Sequence, residues 1–425
     1  MSDATTTTTP TPAGGPAAPE TRPGDSRGSR LLREITTGNA AISVLAVVLA
    51  LVVSGLLIGF TDPTVQSTLG YFASRPTDFF QALGRTVGGA YSSLFQGAVY
   101  NFRVDGFAAG IRPLTETLNY SVPLIAAGLG VALAFRVGLF NIGARGQMLV
   151  AAGAAGWVGF SFDLPLAVHL PLALLAGIAG GAVWGGLVGL LKARTGAHEV
   201  ILTIMLNYIA FYLISFALRT PGLLQAPGSP NPKSPATLPS AVLPDLFGAR
   251  YNLNWGFILV IVVTAVVWWL INRSTLGFRF RAVGENPHAA RTAGMDVKNI
   301  YLYAMLISGA LAGVAGSTQV LGTLTTGFTA GIDAGIGFDA ITVALLGRSR
   351  PWGVFGAGVL FGALKAGGYS MQAANGVPID IVLVVQSLIV LFVAAPPLVR
   401  SIFRLPAPGA RKAPRASKKE AVVTK

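Results

Sequence analysis

Ten apolar stretches, separated by polar segments, follow one another along this sequence. They cover residues 40–60, 114–135, 147–160, 166–191, 200–218, 255–271, 300–321, 336–346, 352–366 and 379–399. Several of them match the length of about 20 residues that an α-helix needs to cross a bilayer. The pattern therefore predicts an all-α fold, a polytopic transmembrane helical bundle of about ten spans.

Two of the stretches, 147–160 and 336–346, are short for a full crossing. They either cross fully or form broken or re-entrant helices, which a membrane protein tolerates where the irregular backbone lines a cavity inside the protein. Composition agrees with a membrane protein, since only 11% of the residues are charged and soluble domains usually carry about 25%. The absence of cysteine excludes disulfides and thiolate metal sites.

The net charge of +14 raises the question of a nucleic-acid partner. Most of the basic residues, however, lie in segments 22–33, 136–145, 192–194, 273–298 and 348–350 and in the tail from residue 400. By the positive-inside rule these segments and both termini are expected in the cytoplasm, near anionic lipid. Segments 61–112 and 219–252 are then extracytoplasmic, and no nucleic-acid partner is expected.

This pattern divides the chain into three parts. Residues 1–38, rich in Thr, Pro, Gly and Ala, predict a disordered cytoplasmic tail. Residues 39–400 form the transmembrane domain, with its longest cytoplasmic loop at 273–298, and residues 401–425 form a basic cytoplasmic tail. Glycines at every fourth position predict close helix packing, with sliding of the helices as the alternative; they are Gly177, Gly181, Gly185 and Gly189, with shorter rows at Gly309 and Gly313 and at Gly358 and Gly362.

The loop 273–298 contains a short helix with both ends marked, ENPHAARTAG. Asn286 is a good N-cap, Pro287 fits the first helical position, and Gly294 can take the left-handed position after the last turn. Ala289 and Ala290 favour helix between them. The helix is either an ordinary loop element or a docking helix for a cytoplasmic partner, with Arg279, Arg281 and Arg291 giving it a basic face.

Catalytic and nucleotide-binding motifs are missing. The sequence has no G-x-x-x-x-G-K-[ST] phosphate loop, and its three histidines are scattered. No metal or other cofactor is expected, and the chain is not expected to be an enzyme. Acidic residues inside the apolar stretches are few, with Asp339 as the main candidate for a pathway residue or, equally, for a helix cap. The remaining polar residues there suit a neutral solute or hydrogen bonds between helices; they include Asn141, Gln147, Thr203, Asn207, Ser308, Thr342, Gln372 and Gln386.

Residues 138–154, GLFNIGARGQMLVAAGA, carry a recognisable pattern. The sequence resembles the permease subunits of bacterial ABC importers, within the branched-chain amino acid, sugar and nucleoside superfamily, in its nucleoside and simple-sugar branch. The family signature is matched at Phe140, Asn141, Ile142, Gly143, Gly146 and Gln147. Further similar stretches lie at 199–210, 283–297, 307–316 and 338–358. Arg145 departs from the family, which usually has Glu at this position.

The resemblance implies a multi-pass protein of the bacterial cell membrane with inverted structural repeats. It implies four kinds of partner: a cytoplasmic ABC ATPase that hydrolyses the ATP, a second permease (homologous or identical), an extracytoplasmic solute-binding lipoprotein and membrane lipid. Nucleosides are the first choice of solute and simple sugars the second. A stand-alone secondary carrier or channel and a polytopic membrane enzyme are the alternatives.

The resemblance and the local chemistry together predict two sets of functional residues. The set for the substrate pathway is Phe140, Asn141, Gly143, Gln147, Asn207 and Asp339. The set for coupling to the ATPase is Gly284, Asn286, Pro287, Ala289, Ala290, Arg291 and Gly294.

Overall fold

The structure, a computed structural model, describes residues 39–248 and 250–404. The tail predicted at 1–38 and most of the tail predicted at 401–425 lie outside these residues. Within them there is no β-strand, only an isolated bridge between Asp245 and Asn254, so the predicted all-α class is confirmed. Residues 47–395 form one compact unit, and the packing described below is that of this unit.

The helices follow the predicted apolar stretches closely. They are α1 Asn39–Thr61, α2 Pro63–Leu69, α3 Pro76–Ala98, α4 Phe107–Gly110, α5 Arg112–Arg136, α6 Ala144–Ser161, α7 Leu166–Thr195, α8 Glu199–Ala217, α9 Gly256–Arg273, α10 Thr275–Glu285, α11 Pro287–Thr292, α12 Val297–Thr318, α13 Ile336–Leu346, α14 Pro351–Asn375, α15 Ile379–Ala394 and α16 Pro396–Ile402. Each of the ten stretches contains a helix. The last helix ends beyond the domain boundary predicted at residue 400.

Five helical segments of the described chain are long and apolar enough to cross a membrane. They are Phe107–Arg136, Leu166–Thr195, Glu199–Ala217, Gly256–Arg273 and Val297–Thr323, and α1 with α2, bent by 76°, makes a sixth if the pair is one span. The two short stretches differ from each other. Helix α6 has 18 residues, whereas α13 has 11, which is about 16 Å of helix and too short to cross alone.

Helix α3 was not predicted from the sequence. Segment 61–112 reads as a long extracytoplasmic connection, because Gly, Ser, Gln and Thr interrupt its apolar residues. In the structure α3 packs against α14, where a Cβ at Gly97 would collide with the side chain of Ser370. The segment is therefore part of the folded domain rather than a simple loop.

The Pro-rich segment 219–252 is irregular, as predicted, but it is also held in place. Its backbone donates to the stretch that follows α12, from Leu243 to Leu321 at 2.8 Å and from Thr237 to Thr325 at 2.8 Å. These bonds satisfy backbone groups that helices would otherwise satisfy internally. The segment therefore covers the place where α12 loses its regular helical form, in the π-helical turn Gln319–Thr323.

The predicted glycine rows form backbone-to-backbone contacts. A Cβ at Gly181 on α7 would collide with the carbonyl oxygen of Gly309 on α12, and a Cβ at Gly309 would collide with that of Gly181. On α14, a Cβ at Gly362 would lie 2.5 Å from the Thr117 carbonyl oxygen of α5. Such contacts require that neither helix carry a side chain at the crossing.

The packing scheme occurs twice. In residues 112–217 a long helix, α5, is followed by a break, by α6 and by the glycine-bearing α7, which packs on α12. In residues 297–394 the order is α12, a break, α13 and the glycine-bearing α14, which packs on α5. Each half thus places its third helix on the first helix of the other half, in agreement with the internal repeat that the resemblance implies.

Candidate functional site: a braced helix break and a capped polar helix

The signature stretch interrupts the path from α5 to α6. Helix α5 ends at Arg136 and α6 begins at Ala144, and residues 137–143 are called the first break here. Gly138 adopts a φ of +77°, a conformation that favours glycine because it has no Cβ. A helix break therefore lies at the signature residue Asn141.

Asn141 fastens the first break to two helices. Its side chain is fully buried; the Oδ1 atom accepts from the Gly143 amide at 2.8 Å, and Nδ2 donates to Ser308 Oγ on α12 at 2.8 Å. Ser308 in turn donates to the Gly130 carbonyl of α5 at 2.7 Å. Buried amides of this kind are costly unless satisfied, so this chain fixes the position of the break between α5 and α12.

Asn207 braces the break from α8. Its Oδ1 accepts from the Gly146 amide at 2.8 Å, one of the free N–H groups at the start of α6. Its Nδ2 donates to the Ile142 carbonyl at 3.0 Å. The Asn207 side chain thus bonds the backbone before and after the start of α6, and so caps this helix from the neighbouring helix α8.

The predicted pathway residues fall into two groups. Asn141, Gln147 and Asn207 are buried and hydrogen-bonded within the protein. Gly143 lies against Thr203 of α8. These contacts correspond to hydrogen bonds between helices, the alternative to binding a neutral solute. Phe140 is 43% exposed, with its ring stacked on Phe135. The pathway role of all of these residues stays a prediction.

Asp339 lies in the first turn of α13, where it pairs with Lys365 of α14 at 3.2 Å. The same Lys365 Nζ donates to the Ala334 carbonyl at 3.2 Å. The N-cap of α13 is Gly335, so the alternative interpretation of Asp339 as a helix cap is wrong. Residues 324–335, between the π-helical turn and α13, are called the second break here.

Arg145 pairs with Asp333 of the second break at 3.3 Å. Asp333 is only 3% exposed, and the Arg145 guanidinium also lies over the Phe211 ring, 5.3 Å from its centroid. A Cβ at Gly337 would lie 2.5 Å from the Arg145 Cα, so the starts of α6 and α13 touch. The two breaks therefore meet, joined by an ion pair that the sequence did not reveal.

The polar helix of loop 273–298 has the predicted caps. The Asn286 Oδ1 accepts from the amides of His288 and Ala289, both at 3.0 Å, and Pro287 is the first helical residue. Gly294 has a φ of +83°. Residues 275–294, comprising α10, α11 and this terminus, are called the capped segment. Ala290 is 4% exposed, so it faces inward, whereas Ala289 and Arg291 are exposed.

The capped segment contacts the first break directly. A Cβ at Gly284 would collide with the Arg136 carbonyl at the end of α5. A Cβ at Gly138 would lie 3.7 Å from the Gly284 Cα. The glycine at 284 is thus required by a backbone contact, and that contact joins the capped segment to the residues that begin the break.

Comparison with known proteins gives a family match over the residues that form both breaks and the capped segment. Residues 114–394 match the family described as "Branched-chain amino acid transport system / permease component". The chain belongs to this permease family. It is an integral membrane permease subunit of the ABC transporter type, and subunits of this type are non-catalytic. No solved structure gives a significant match.

Three curated relatives of the permease span most of its length. The guanosine ABC transporter permease protein NupP of Bacillus subtilis is 41% identical over 75% of this chain and 89% of its own. The glucose ABC transporter permease protein TsgB13 of Haloferax volcanii is 37% identical over 66% of this chain and 75% of its own. A second Bacillus subtilis protein, the guanosine ABC transporter permease protein NupQ, is 29% identical over 58% of this chain and 78% of its own.

A groove of about 890 Å³ lies beside the capped segment of the permease. Arg273, Arg279, Arg281, Asn299 and Tyr303 are among the residues that line it. Arg281 donates from Nη1 to the Ile271 carbonyl at 2.5 Å, so it belongs to the groove wall rather than to the exposed face of α11. Arg279 and Arg291 remain exposed, and the face keeps its predicted basic character.

Arg145→Glu is expected to lower the free energy of unfolding of the permease by about 3 kcal/mol, because it leaves the buried Asp333 carboxylate without its partner. Thermal unfolding in detergent would measure the loss. In the double variant Arg145→Glu with Asp333→Arg, the pair is restored in reverse and at least half of the loss should be recovered. Additive losses in the double variant would show that the two side chains do not interact.

Proposed function

We propose that this chain is one of two permease subunits of an ATP-driven importer of nucleosides, with both termini in the cytoplasm. The observation that carries the proposal is the backbone contact between the capped segment and the first break, at Gly284 and Arg136. It joins an exposed cytoplasmic helix to an interrupted membrane helix. An importer that is driven by an ATPase outside the lipid bilayer needs such a connection between the docking site for the ATPase and the solute pathway.

The solute is proposed from the relatives. NupP and NupQ are both named for guanosine, and NupP shares 41% of the aligned residues. TsgB13, named for glucose, makes a simple sugar the second candidate. Nucleosides and sugars are both neutral and rich in hydroxyl groups, in agreement with the neutral polar residues of the apolar stretches.

The energy source is proposed to lie on another chain. The sequence has no phosphate loop, and the capped segment presents Ala289 and Arg291 to solvent. A capped helix of one to two turns, already folded without its partner, would dock with little loss of conformational entropy. A cytoplasmic ABC ATPase is therefore the proposed partner of this face, with the neighbouring basic groove as part of the same surface.

Coupling is proposed to run through α5 and the two breaks. ATP-driven approach of two ATPases would move the capped segment, and Gly284 would push on the Arg136 carbonyl. The first break would then shift against α6, whose start is joined to the second break by Arg145 and Asp333. Both halves would respond together, which is what a switch between outward and inward access requires.

The remaining partners follow from this arrangement. A solute-binding lipoprotein would deliver the solute at the opposite membrane face. The second permease is proposed to be homologous but not identical, because Bacillus subtilis has two guanosine permease proteins, NupP and NupQ, that both resemble this chain.

Reconstituted vesicles test the proposal. The permease with its second permease, ATPase and binding protein should take up labelled guanosine only with hydrolysable ATP, and an ionophore that collapses ion gradients should leave the uptake unchanged. The control is the same vesicle with a non-hydrolysable ATP analogue. Uptake that persists without ATP and stops with the ionophore would instead identify a secondary carrier.

A further inference from the structure

A cavity of about 570 Å³ lies at the end of α5 that is remote from the capped segment. Arg112, Glu116 and Tyr120, in the first turns of α5, line it, whereas Arg136 at the other end touches Gly284. The 24 residue steps between Arg112 and Arg136 correspond to about 36 Å of helix, roughly the thickness of a bilayer core. The cavity is therefore at the membrane face opposite the proposed ATPase.

Two tyrosine rings form one wall of the cavity. Tyr120 of α5 and Tyr369 of α14 have ring centroids 5.8 Å apart, with an angle of 37° between their planes. Tyr369 is 49% exposed, so part of its ring is accessible. An exposed aromatic face binds planar heterocyclic rings by stacking, and it does so with little regard to which base is present.

The facing wall is polar and carries the Glu116 carboxylate and the guanidinium groups of Arg112 and Arg250. Glu116 lies 4.0 Å from Arg112 and accepts from Asn252 Nδ2 at 3.1 and 3.2 Å. Asn252 has a φ of +52°, and the loop that carries it is fixed to α5 by a bond from Thr115 Oγ1 to the Tyr251 carbonyl at 2.5 Å. Arg112 offsets the Glu116 carboxylate, and Arg250 adds a second guanidinium. Hydroxyl groups of a solute can therefore donate to Glu116 and accept from the amide and the guanidinium groups.

Helix α14 connects the cavity to the second break. Tyr369 and Lys365 are four residues apart on α14 and so lie on the same helix face. Lys365 binds Asp339 and the Ala334 carbonyl at the second break. One helical turn, about 6 Å along the axis of α14, therefore separates the backbone positions of Tyr369 and Lys365.

From these observations, and on the basis of the proposed function, we infer that this cavity is the permease's own receiving site for the solute. It takes a neutral molecule that joins a planar ring to a hydroxyl-bearing group, the chemistry of a nucleoside. The ring stacks on Tyr369, and the hydroxyls bond to Glu116 and Asn252. A volume of about 570 Å³ is within the range of small-molecule sites.

Equilibrium binding of tritiated guanosine to the permease pair with its ATPase, in nanodiscs without the binding protein, tests the site directly. Tyr369→Leu removes the stacking face and should weaken binding about tenfold. Tyr369→Phe keeps the ring and should stay within about twofold of the wild type. Tyr212→Leu, an exposed tyrosine of α8 outside the cavity, is the matched control and should bind as the wild type does.

Several results would overturn the inference. They are absence of guanosine binding to the wild-type complex, equal affinities of wild type and Tyr369→Leu, and competition by glucose as strong as that by unlabelled guanosine. Co-elution of both permeases with the ATPase in size-exclusion chromatography of each variant shows that the complex is intact. If the wild type takes up guanosine with ATP while Tyr369→Leu binds guanosine normally, the site is wrong and the proposed function stands; if the wild type shows no uptake, the proposed function itself fails.

Discussion

Ala289→Asp is expected to reduce ATP-driven uptake to background while leaving the permease folded. Ala289 is exposed on α11, and an uncompensated charge buried at a docking interface costs about 2–5 kcal/mol. The new carboxylate would stand in the first turn of α11, where it favours the helix by its interaction with the helix dipole. Loss of uptake could then not be attributed to unfolding of the helix. Vesicle uptake and co-purification of the ATPase would measure the effect.

The matched control for this variant is Thr195→Asp. Thr195 is exposed at the end of α7, near the same membrane face, since Gly189 of α7 contacts Leu302 in the first turns of α12. It should leave uptake and ATPase association unchanged. Normal uptake by Ala289→Asp would refute the docking role of the capped segment. Equal loss in both variants would show only that this face tolerates no added negative charge.

Gly181→Leu is expected to prevent accumulation of folded permease. Gly181 and Gly309 bring the backbones of α7 and α12 into direct contact, so even a Cβ has no room and a leucine must separate the helices. Overpacking of a core that can adjust costs about 1–3 kcal/mol, and a backbone can adjust less than side chains can. The yield of monodisperse protein after detergent extraction would report the loss.

Gly356→Leu provides the comparison, because Gly356 of α14 is exposed and a Cβ there meets nothing within 4 Å. The same chemical change at this position should leave the yield near that of the wild type. A good yield from Gly181→Leu would show that the α7 and α12 contact is looser than the structure describes. Equally poor yields from both variants would point to a general effect of leucine on membrane insertion.

Local sequence signals predicted those parts of the fold that local chemistry decides. Helix α13 has the predicted bounds, because Gly335 and Gly347 close an apolar run on both sides. Helix α11 was predicted from Asn286, Pro287 and Gly294, whose effects act within one turn of chain. Helix α3 was missed because its packing on α14, rather than an apolar run, makes it part of the core.

The sequence predicted the signature residues and the capped helix of the candidate site, but not the bonds that join them to other helices. The amides at 141 and 207 stand out as polar residues in apolar stretches, but what they bond is set by the fold: Asn207 reaches Gly146 across 61 residues. The partner of Arg145 is 188 residues away, at Asp333, and no local pattern indicates such a pair. Two signals in the sequence point to these ion pairs. Asp333 is a second carboxylate close to Asp339, and Lys365 is a lysine inside an apolar stretch.

The contact between Gly284 and Arg136 has a mechanical consequence. A joint made through long side chains absorbs small displacements, because rotamers change before backbones move. Here a backbone carbonyl meets a residue that has no side chain, so the joint has almost no compliance. We therefore expect a displacement of the capped segment to move the first break by nearly the same distance.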